Sequence, residues 1–498
     1  MPSFFWTTLF KARRPENSAL PVKSACGNRL AAQYYKFQPL TIFGCVGMLL
    51  ERFRTGVTTS RQTQLWPFYM VFICFAITLT LFPGLGDGDT VDQQRQMLTG
   101  MYHDWHPPVF AAFWGVVNKA WNSVTGMSYS GTGVLYVLHA LLLWGGIALL
   151  MKVARPYFRT FIGEARWKFS ALAGMLFLWG LCELVPMSRL IFKDTAMLAA
   201  YTLALGLMLN MPARRGWKVF MIMGCLLLLF YGTAVRHNSL FALMPLLALL
   251  FCKTLPTRWV LIIVPCTLIA WGGIILSINY VNYTVLAAKK TYSIQEIFYT
   301  DIWRLNYKTK VFDLPPPVKG VSWDEISEEV FFDFYDEKRV YVKSSMRFIE
   351  RYYNNGVRYW TNDFTGAEDD FKLLFHAWID KIKKHPAAYI STHKRIFVNM
   401  LREYTFFGLS GYWYFILACA IAAAGFYKLI KKKPGIDPAP YLVALSSLFY
   451  VMPYFLFIVD IQRRYLLWFI FASFLSVIWV GGQVAANRSA QKQQASAA

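Results

Sequence analysis

Four short polar segments stand between apolar runs and hold the side chains best suited to chemistry. GLGDGDTVDQQRQMLTGMYHDWHPP, residues 84–108, supplies Asp87, Asp89, Asp92, His103, Asp104 and His106. SRLIFKD, 188–194, supplies Lys193 and Asp194. VRHNS, 235–239, supplies Arg236 and His237, and DIQRRY, 460–465, supplies Arg463 and Arg464. A positioned carboxylate takes the proton of an attacking hydroxyl. Guanidinium and ammonium groups stabilise charge building on a phosphate leaving group. Taken singly, each residue has a plainer reading. Asp87 and Asp89 read as solvated loop carboxylates, Arg236 and Arg463 as anchors snorkelling at an interface, and His237 as a packing histidine. His103 and His106 flank Asp104 at a spacing that suits a metal only loosely. Taken together, carboxylates, histidines and several cations match the transfer of a sugar from a polyprenyl phosphate. GLGDGD is a poor phosphate loop for a nucleotide, since no strand precedes it and no helix of the right spacing follows.

The elements that must position these segments are dictated by composition. Of 498 residues 56% are hydrophobic, 17% aromatic and only 16% charged, with 51 Lys+Arg against 28 Asp+Glu for a net charge of +23. A soluble chain carries about 25% charged residues. The basic residues fall between long apolar runs, which points to a bilayer and away from nucleic acid. Disorder, a fibrous repeat and a disulfide scaffold are excluded. The eight cysteines lie in or beside apolar runs or in the N-terminal arm. The opening MPSFFWTTLFKARRP lacks an apolar leader core, so no cleaved signal peptide is expected.

Runs of roughly 20 apolar residues cross a hydrocarbon core. Ten are legible, at roughly 66–83, 132–151, 169–187, 195–211, 219–235, 239–252, 259–278, 411–430, 441–459 and 465–484. The sixth is short, and 39–50 reads as an interfacial helix. The expected fold is an all-α polytopic membrane protein with interfacial helices and a small, mainly helical extracytoplasmic domain. Its parts are a cytoplasmic arm (1–65), seven spans with outer loops (66–278), the outer domain (279–402), three spans (403–484) and a cytoplasmic tail (485–498). Both ends, 1–35 and 485–498, read as disordered, and Asp370–Asn399 reads as helical. Lys152, Arg155, Arg159, Arg214, Arg215, Lys218 and Lys431–Lys433 fall on one side of this arrangement, which the positive-inside rule makes the cytoplasm. All four polar segments then converge on the outer face of the inner membrane. An engineered cysteine at Lys319 should therefore react with an impermeant thiol reagent in intact cells. Labelling only after permeabilisation would invert the topology.

These features resemble the GT-C superfamily of polytopic glycosyltransferases, especially bacterial members that decorate surface polysaccharide. The resemblance rests on a carboxylate loop after the first span, the D-x-H-P-P segment, a Lys-Asp pair opening a later span, the R-H-N turn and D-x-x-R-R-Y before the last span. WIDKIKKHPAAYISTHKRIF in the outer domain adds a similar "K-H-P, then Tyr, then His/Arg" pattern. The resemblance implies a single displacement in which Asp89 is the base, with Asp87 or Asp92 as the other choices. It implies Lys193, Arg236, Arg463 and Arg464 for the donor phosphate. His103, Asp104, His106, Asp194 and His237 would support the acceptor or the site. Partners would be a polyprenyl-phosphate sugar, a glycan or glycolipid acceptor and the bilayer. The resemblance leaves metal dependence open: some relatives use a divalent metal ion and others none. Two rivals stand beside this reading. One is a polysaccharide ligase acting on polyprenyl diphosphate; the other is a lipid-linked glycan transporter or flippase. Transport would favour mid-membrane ionisable sites and an internal repeat. Glu183 alone lies well inside an expected span, and no repeat is visible.

Overall fold

The computed structural model describes residues 62–86, 88–126, 131–161, 184–185, 188, 190–255, 260–309, 335–336, 341–342, 367–406, 408–431, 437–458 and 462–497. Residues 67–498 form one compact unit; a second unit, 1–66, is described only over 62–66. The expectations for the arm, the 39–50 helix and Asp87 lie outside the described residues.

The described chain is nearly all helix. Its elements are α1 (Gln62–Leu79), α2 (Gly88–Thr99), α3 (Pro108–Thr125), α4 (Gly133–Phe161), α5 (Lys193–Leu209), α6 (Arg215–Ala234), α7 (Ser239–Thr254) and α8 (Val260–Tyr280). α9 (Gln295–Thr309), α10 (Ala367–Lys384) and α11 (Pro386–Glu403) follow, then α12 (Gly411–Ile430), α13 (Ala439–Val451), the short α14 (Pro453–Leu456) and α15 (Leu467–Ala497). Two minimal antiparallel hairpins, β1–β2 (Tyr335–Asp336, Tyr341–Val342) and β3–β4 (Thr405–Phe406, Leu409–Ser410), are the strands among the described residues.

Among the described residues, six helical stretches are long and apolar enough to cross a membrane: Gly133–Val153, Arg215–Ala234, Leu261–Val285, Gly411–Leu429, Ala439–Leu456 and Arg463–Val484. The other four expected spans are not among these six. At 195–211 and 239–252 the structure has apolar helices of 17 and 16 residues, α5 and α7. At 66–83 it has α1, and most of 169–187 lies outside the described residues. α5 and α7 are enclosed: Ala196 through Tyr201 on α5 and Leu246, Leu247, Leu249 and Leu250 on α7 are buried by protein. The peripheral helices instead turn apolar side chains outward. Phe220, Met223 and Leu227 project from α6, and Leu261 and Ile269 on α8 are 90% and 74% exposed. Such faces suit a lipid environment. The fold is that of a multi-pass, all-α membrane protein.

Close packing comes from small residues, because lipid gives helices little apolar reason to associate. A Cβ on Gly146 would stand 2.6 Å from the Leu203 backbone nitrogen, and one on Gly206 would stand 3.0 Å from the Gly146 carbonyl oxygen. α4 and α5 therefore meet backbone to backbone. Hydroxyls join α7, α13 and α15: Trp468 Nε1 donates to Ser446 Oγ at 3.1 Å, and Ser446 donates to the Ala242 carbonyl at 2.8 Å. At the far end of α7, Lys253 pairs with Asp437 at 2.9 Å.

Two local expectations are revised, and a third, the helical run Asp370–Asn399, holds with a break. Residues 88–99, read as loop, form α2, because DTVDQQRQMLT is rich in good helix formers once Gly88 opens it. The run Asp370–Asn399 is two helices, since Pro386 cannot continue α10 and instead starts α11. The end read as disordered continues α15 to Ala497, its alanines and glutamines extending an already nucleated helix.

Candidate functional site

The polar segments meet at one end of the helical body. Gly84 directs the first of them: its φ is +84°, and a Cβ there would stand 2.8 Å from the Tyr136 ring. The chain then bridges to the second segment, with the Ile191 amide donating to the Leu85 carbonyl at 2.9 Å. Thr90 Oγ1 donates to the Ile191 carbonyl at 2.8 Å. These bonds set the first turn of α2 beside the first turn of α5, and so Asp89 beside Lys193.

Asp89 is the hub. Its Oδ2 lies 3.4 Å from Lys193 Nζ and accepts from Arg464 Nη1 at 3.0 Å, while Oδ1 lies 3.6 Å from His106 Nε2. Lys193 Nζ also contacts His106 Nδ1 at 2.7 Å. An ammonium only donates, so Nδ1 accepts and the proton sits on Nε2, facing Asp89. Burial, reinforced by Lys193, pushes the His106 pKa down to about 3, which agrees with this neutral tautomer. Burial alone would raise Asp89, but the surrounding positive charge outweighs it and holds the carboxyl well below the usual range. That charge comes first from His106 when it is protonated, then from Lys193 and Arg464; at neutral pH Lys193 and Arg464 are the contacting cations.

A second pair lies behind the first. Arg236 Nε stands 3.0 Å from Asp194 Oδ1, and both are buried, Asp194 completely. Arg236 Nη2 donates to the Tyr454 hydroxyl at 3.2 Å, and its guanidinium lies 4.9 Å from the centre of the Tyr465 ring. Tyr454 and Tyr465 stack at 5.3 Å and 15°. Arg464 lies over the Phe192 and Tyr465 rings, and its Nε donates to Gln462 Oε1. These aromatic planes fix two long, flexible cations that would otherwise sample many rotamers.

The remaining candidates take other posts. Arg463 turns away, its guanidinium 4.4 Å from the centre of the Phe406 ring in the β3–β4 hairpin. Asp92 accepts from Gln96 Nε2 at 2.8 Å and lies 3.5 Å from His103 Nε2, bracing α2 against the following loop. Asp104 accepts from the Thr291 amide and hydroxyl at 2.6 and 2.7 Å and from the Tyr283 hydroxyl at 2.7 Å. It therefore ties the first segment to the chain after α8. His237 is exposed on its turn, beside Asp104. Among the described residues, no group of three or more His, Cys, Asp and Glu side chains comes together as a metal site. Asp89, held between an ammonium and a guanidinium, does not fit a divalent ion, and no step is assigned to one.

Sequence reasoning reached Tyr465 only as the last residue of DIQRRY and missed Tyr454, which sits inside an apolar run and has no polar flag beyond its hydroxyl. The segment carrying Trp378, Tyr389 and His393 was legible as a motif, but the Asp301 and Arg304 side chains that they meet in a buried cluster were not. Compared with protein-family models, curated proteins and solved structures, the chain matches none.

Proposed function

We propose that this protein is an integral-membrane glycosyltransferase. It moves a sugar from a polyprenyl-phosphate donor to a cell-surface glycan or lipid acceptor at the outer face of the membrane, by single displacement. The observation that carries the reading is the meeting of Asp89, His106, Lys193 and Arg464, brought from three separate polar segments to contact distances of 2.7–3.6 Å. Asp89 balances only one of the two cations that contact it, which leaves a positive charge suited to an anionic phosphate.

In this mechanism the donor phosphate binds Lys193 and Arg464, with Arg236 adding its field from behind. The two cations carry the negative charge that develops as the bond from the anomeric carbon to the phosphate oxygen breaks. The acceptor hydroxyl attacks the anomeric carbon from the opposite face while its proton passes to Asp89. The phosphate competes with Asp89 for the same two cations. Donor binding therefore loosens their hold on the carboxylate and makes it a better base. A base held strongly acidic in the free protein is released by its own substrate.

This has a pH signature. A carboxylate with a depressed pKa stays ionised as pH falls and is lost only when pH passes below that depressed value. The profile of kcat/KM, which reports the free protein, should therefore hold its plateau below the ordinary carboxylate range. The profile of kcat, which reports the donor complex, should break at a higher pH. Coincident acid limbs would show that phosphate does not draw Lys193 and Arg464 from Asp89. The activity itself is tested by incubating the purified protein in nanodiscs with defined polyprenyl-phosphate sugars and glycan acceptors. Mass analysis should show free polyprenyl phosphate and a glycan heavier by one sugar. Transfer of a whole glycan from polyprenyl diphosphate would favour the ligase, and movement of lipid-linked glycan without bond cleavage would favour a flippase.

A further inference from the structure

A second buried charged cluster lies among α9, α10 and α11, and the chemistry above leaves it unused. Asp301 and Arg304, one turn apart on α9, and His393 on α11 are each no more than 2% exposed. Asp301 Oδ1 accepts from Arg304 Nη1 at 3.2 Å and faces His393 Nε2 at 3.0 Å, and Oδ2 accepts from Trp378 Nε1 at 3.1 Å. The same side chains reach a second target. Arg304 Nη1 donates to the Ile458 carbonyl at 2.6 Å, and His393 Nδ1 stands 3.0 Å from the Phe455 carbonyl. Tyr389, one turn before His393, donates to the Leu456 carbonyl at 3.0 Å.

Three of the carbonyls around the end of α14 are thus met by side chains of two other helices. A helix leaves its last carbonyls without internal partners, and buried ones must find donors elsewhere. Apolar packing would hold such a turn without burying a carboxylate, and often at no loss of stability. A fully satisfied polar network instead specifies one arrangement. What it arranges is the proposed donor site. α14 carries Tyr454, which accepts from Arg236 and stacks on Tyr465, and the chain beyond Ile458 leads to Arg464 on Asp89.

We propose that Asp301, Arg304 and His393 are positioning residues for the donor-phosphate site: by clamping the end of α14 they fix the aim of Tyr454 and Arg464. The inference rests on the proposed function, and it makes α9–α11 part of the machinery that shapes the site from outside the helical body.

The test uses the full chain in nanodiscs and polyprenyl monophosphate as the probe. Hydrogen exchange over 453–458 should speed up by about tenfold or more in His393→Ala and Arg304→Gln, with Val260–Tyr280 unchanged. Affinity for polyprenyl monophosphate should fall about tenfold in the same variants. With Arg464→Met already in place, adding His393→Ala should change affinity by clearly less than about tenfold, because the part of the clamp's effect that runs through Arg464 is already lost. Tyr389→Phe, which deletes a single hydroxyl, keeps the question open to measurement if the stronger variants fail to fold; it should show smaller shifts of the same sign. A turn that loosens while phosphate binding is intact overturns the proposal. So does an unchanged turn, and so does a His393→Ala loss that multiplies in full with Arg464→Met, since that is general destabilisation. If the unaltered protein binds no polyprenyl monophosphate, the functional reading falls and takes the proposal with it. Intact binding in both the unaltered protein and the clamp variants overturns the proposal alone.

Discussion

Asp89→Asn is expected to lower turnover by about 10²–10⁴-fold while donor affinity holds or rises. The two effects have opposite signs for one reason. The carboxylate is the proposed base, so its amide cannot accept the hydroxyl proton. It is also the anion that occupies Lys193 at 3.4 Å and Arg464 at 3.0 Å, so its removal frees both cations for phosphate. Asp92→Asn should cost much less, because Asp92 bonds Gln96 and lies beside His103 and braces α2 from within. Single-turnover rates and polyprenyl monophosphate binding, each normalised to folded protein, separate the outcomes. Unimpaired turnover in Asp89→Asn would remove it as the base. Lost affinity with lost turnover would instead assign Asp89 to holding the cations in place.

The second large effect belongs to Arg236 and Asp194. Both are buried, at 8% and 0% exposure, and they face each other at 3.0 Å. Removing one partner of such a pair strands a charge in a medium that cannot solvate it, a loss of about 3–5 kcal/mol. Arg236→Leu should therefore lower the midpoint of thermal or detergent unfolding sharply. Arg236→Leu combined with Asp194→Leu should recover most of that loss, because two matched apolar side chains leave no charge behind. The double variant should still transfer sugar more slowly than the unaltered protein, since Arg236 no longer holds Tyr454 and Tyr465 in place. Equal losses in the single and double variants would show that the pair is not what holds α5 to the turn after α6.

Arg236→Lys is informative in between. The charge remains, but one ammonium cannot reproduce the fork that reaches Asp194 and Tyr454 together. A smaller stability loss with a clear fall in donor affinity is the expected pattern.

The sequence by itself determined the class of protein and the neighbourhood of the site. Hydrocarbon requires long apolar runs, so the spanning helices and the polar turns between them are written locally, and alternating spans must return those turns to one of two faces. That reasoning was enough to bring 84–108, 188–194, 235–239 and 460–465 together. It could not say which side chains meet. Arg463 and Arg464 are adjacent, yet one lies over Phe406 and the other bonds Asp89, a choice set by the phase of the short turn before α15. Arg236 reads as a phosphate ligand in a one-dimensional view, and only packing reveals that it is committed to Asp194. Likewise α2 is hidden inside a segment whose glycines and carboxylates read as loop, and its phase puts Asp89 and Asp92 in different surroundings. The Asp301–His393 clamp joins residues 92 positions apart and then reaches the end of α14. Periodicity tells which face of a helix is buried, but the partner across that face is decided by how helices cross, which depends on every side chain between them.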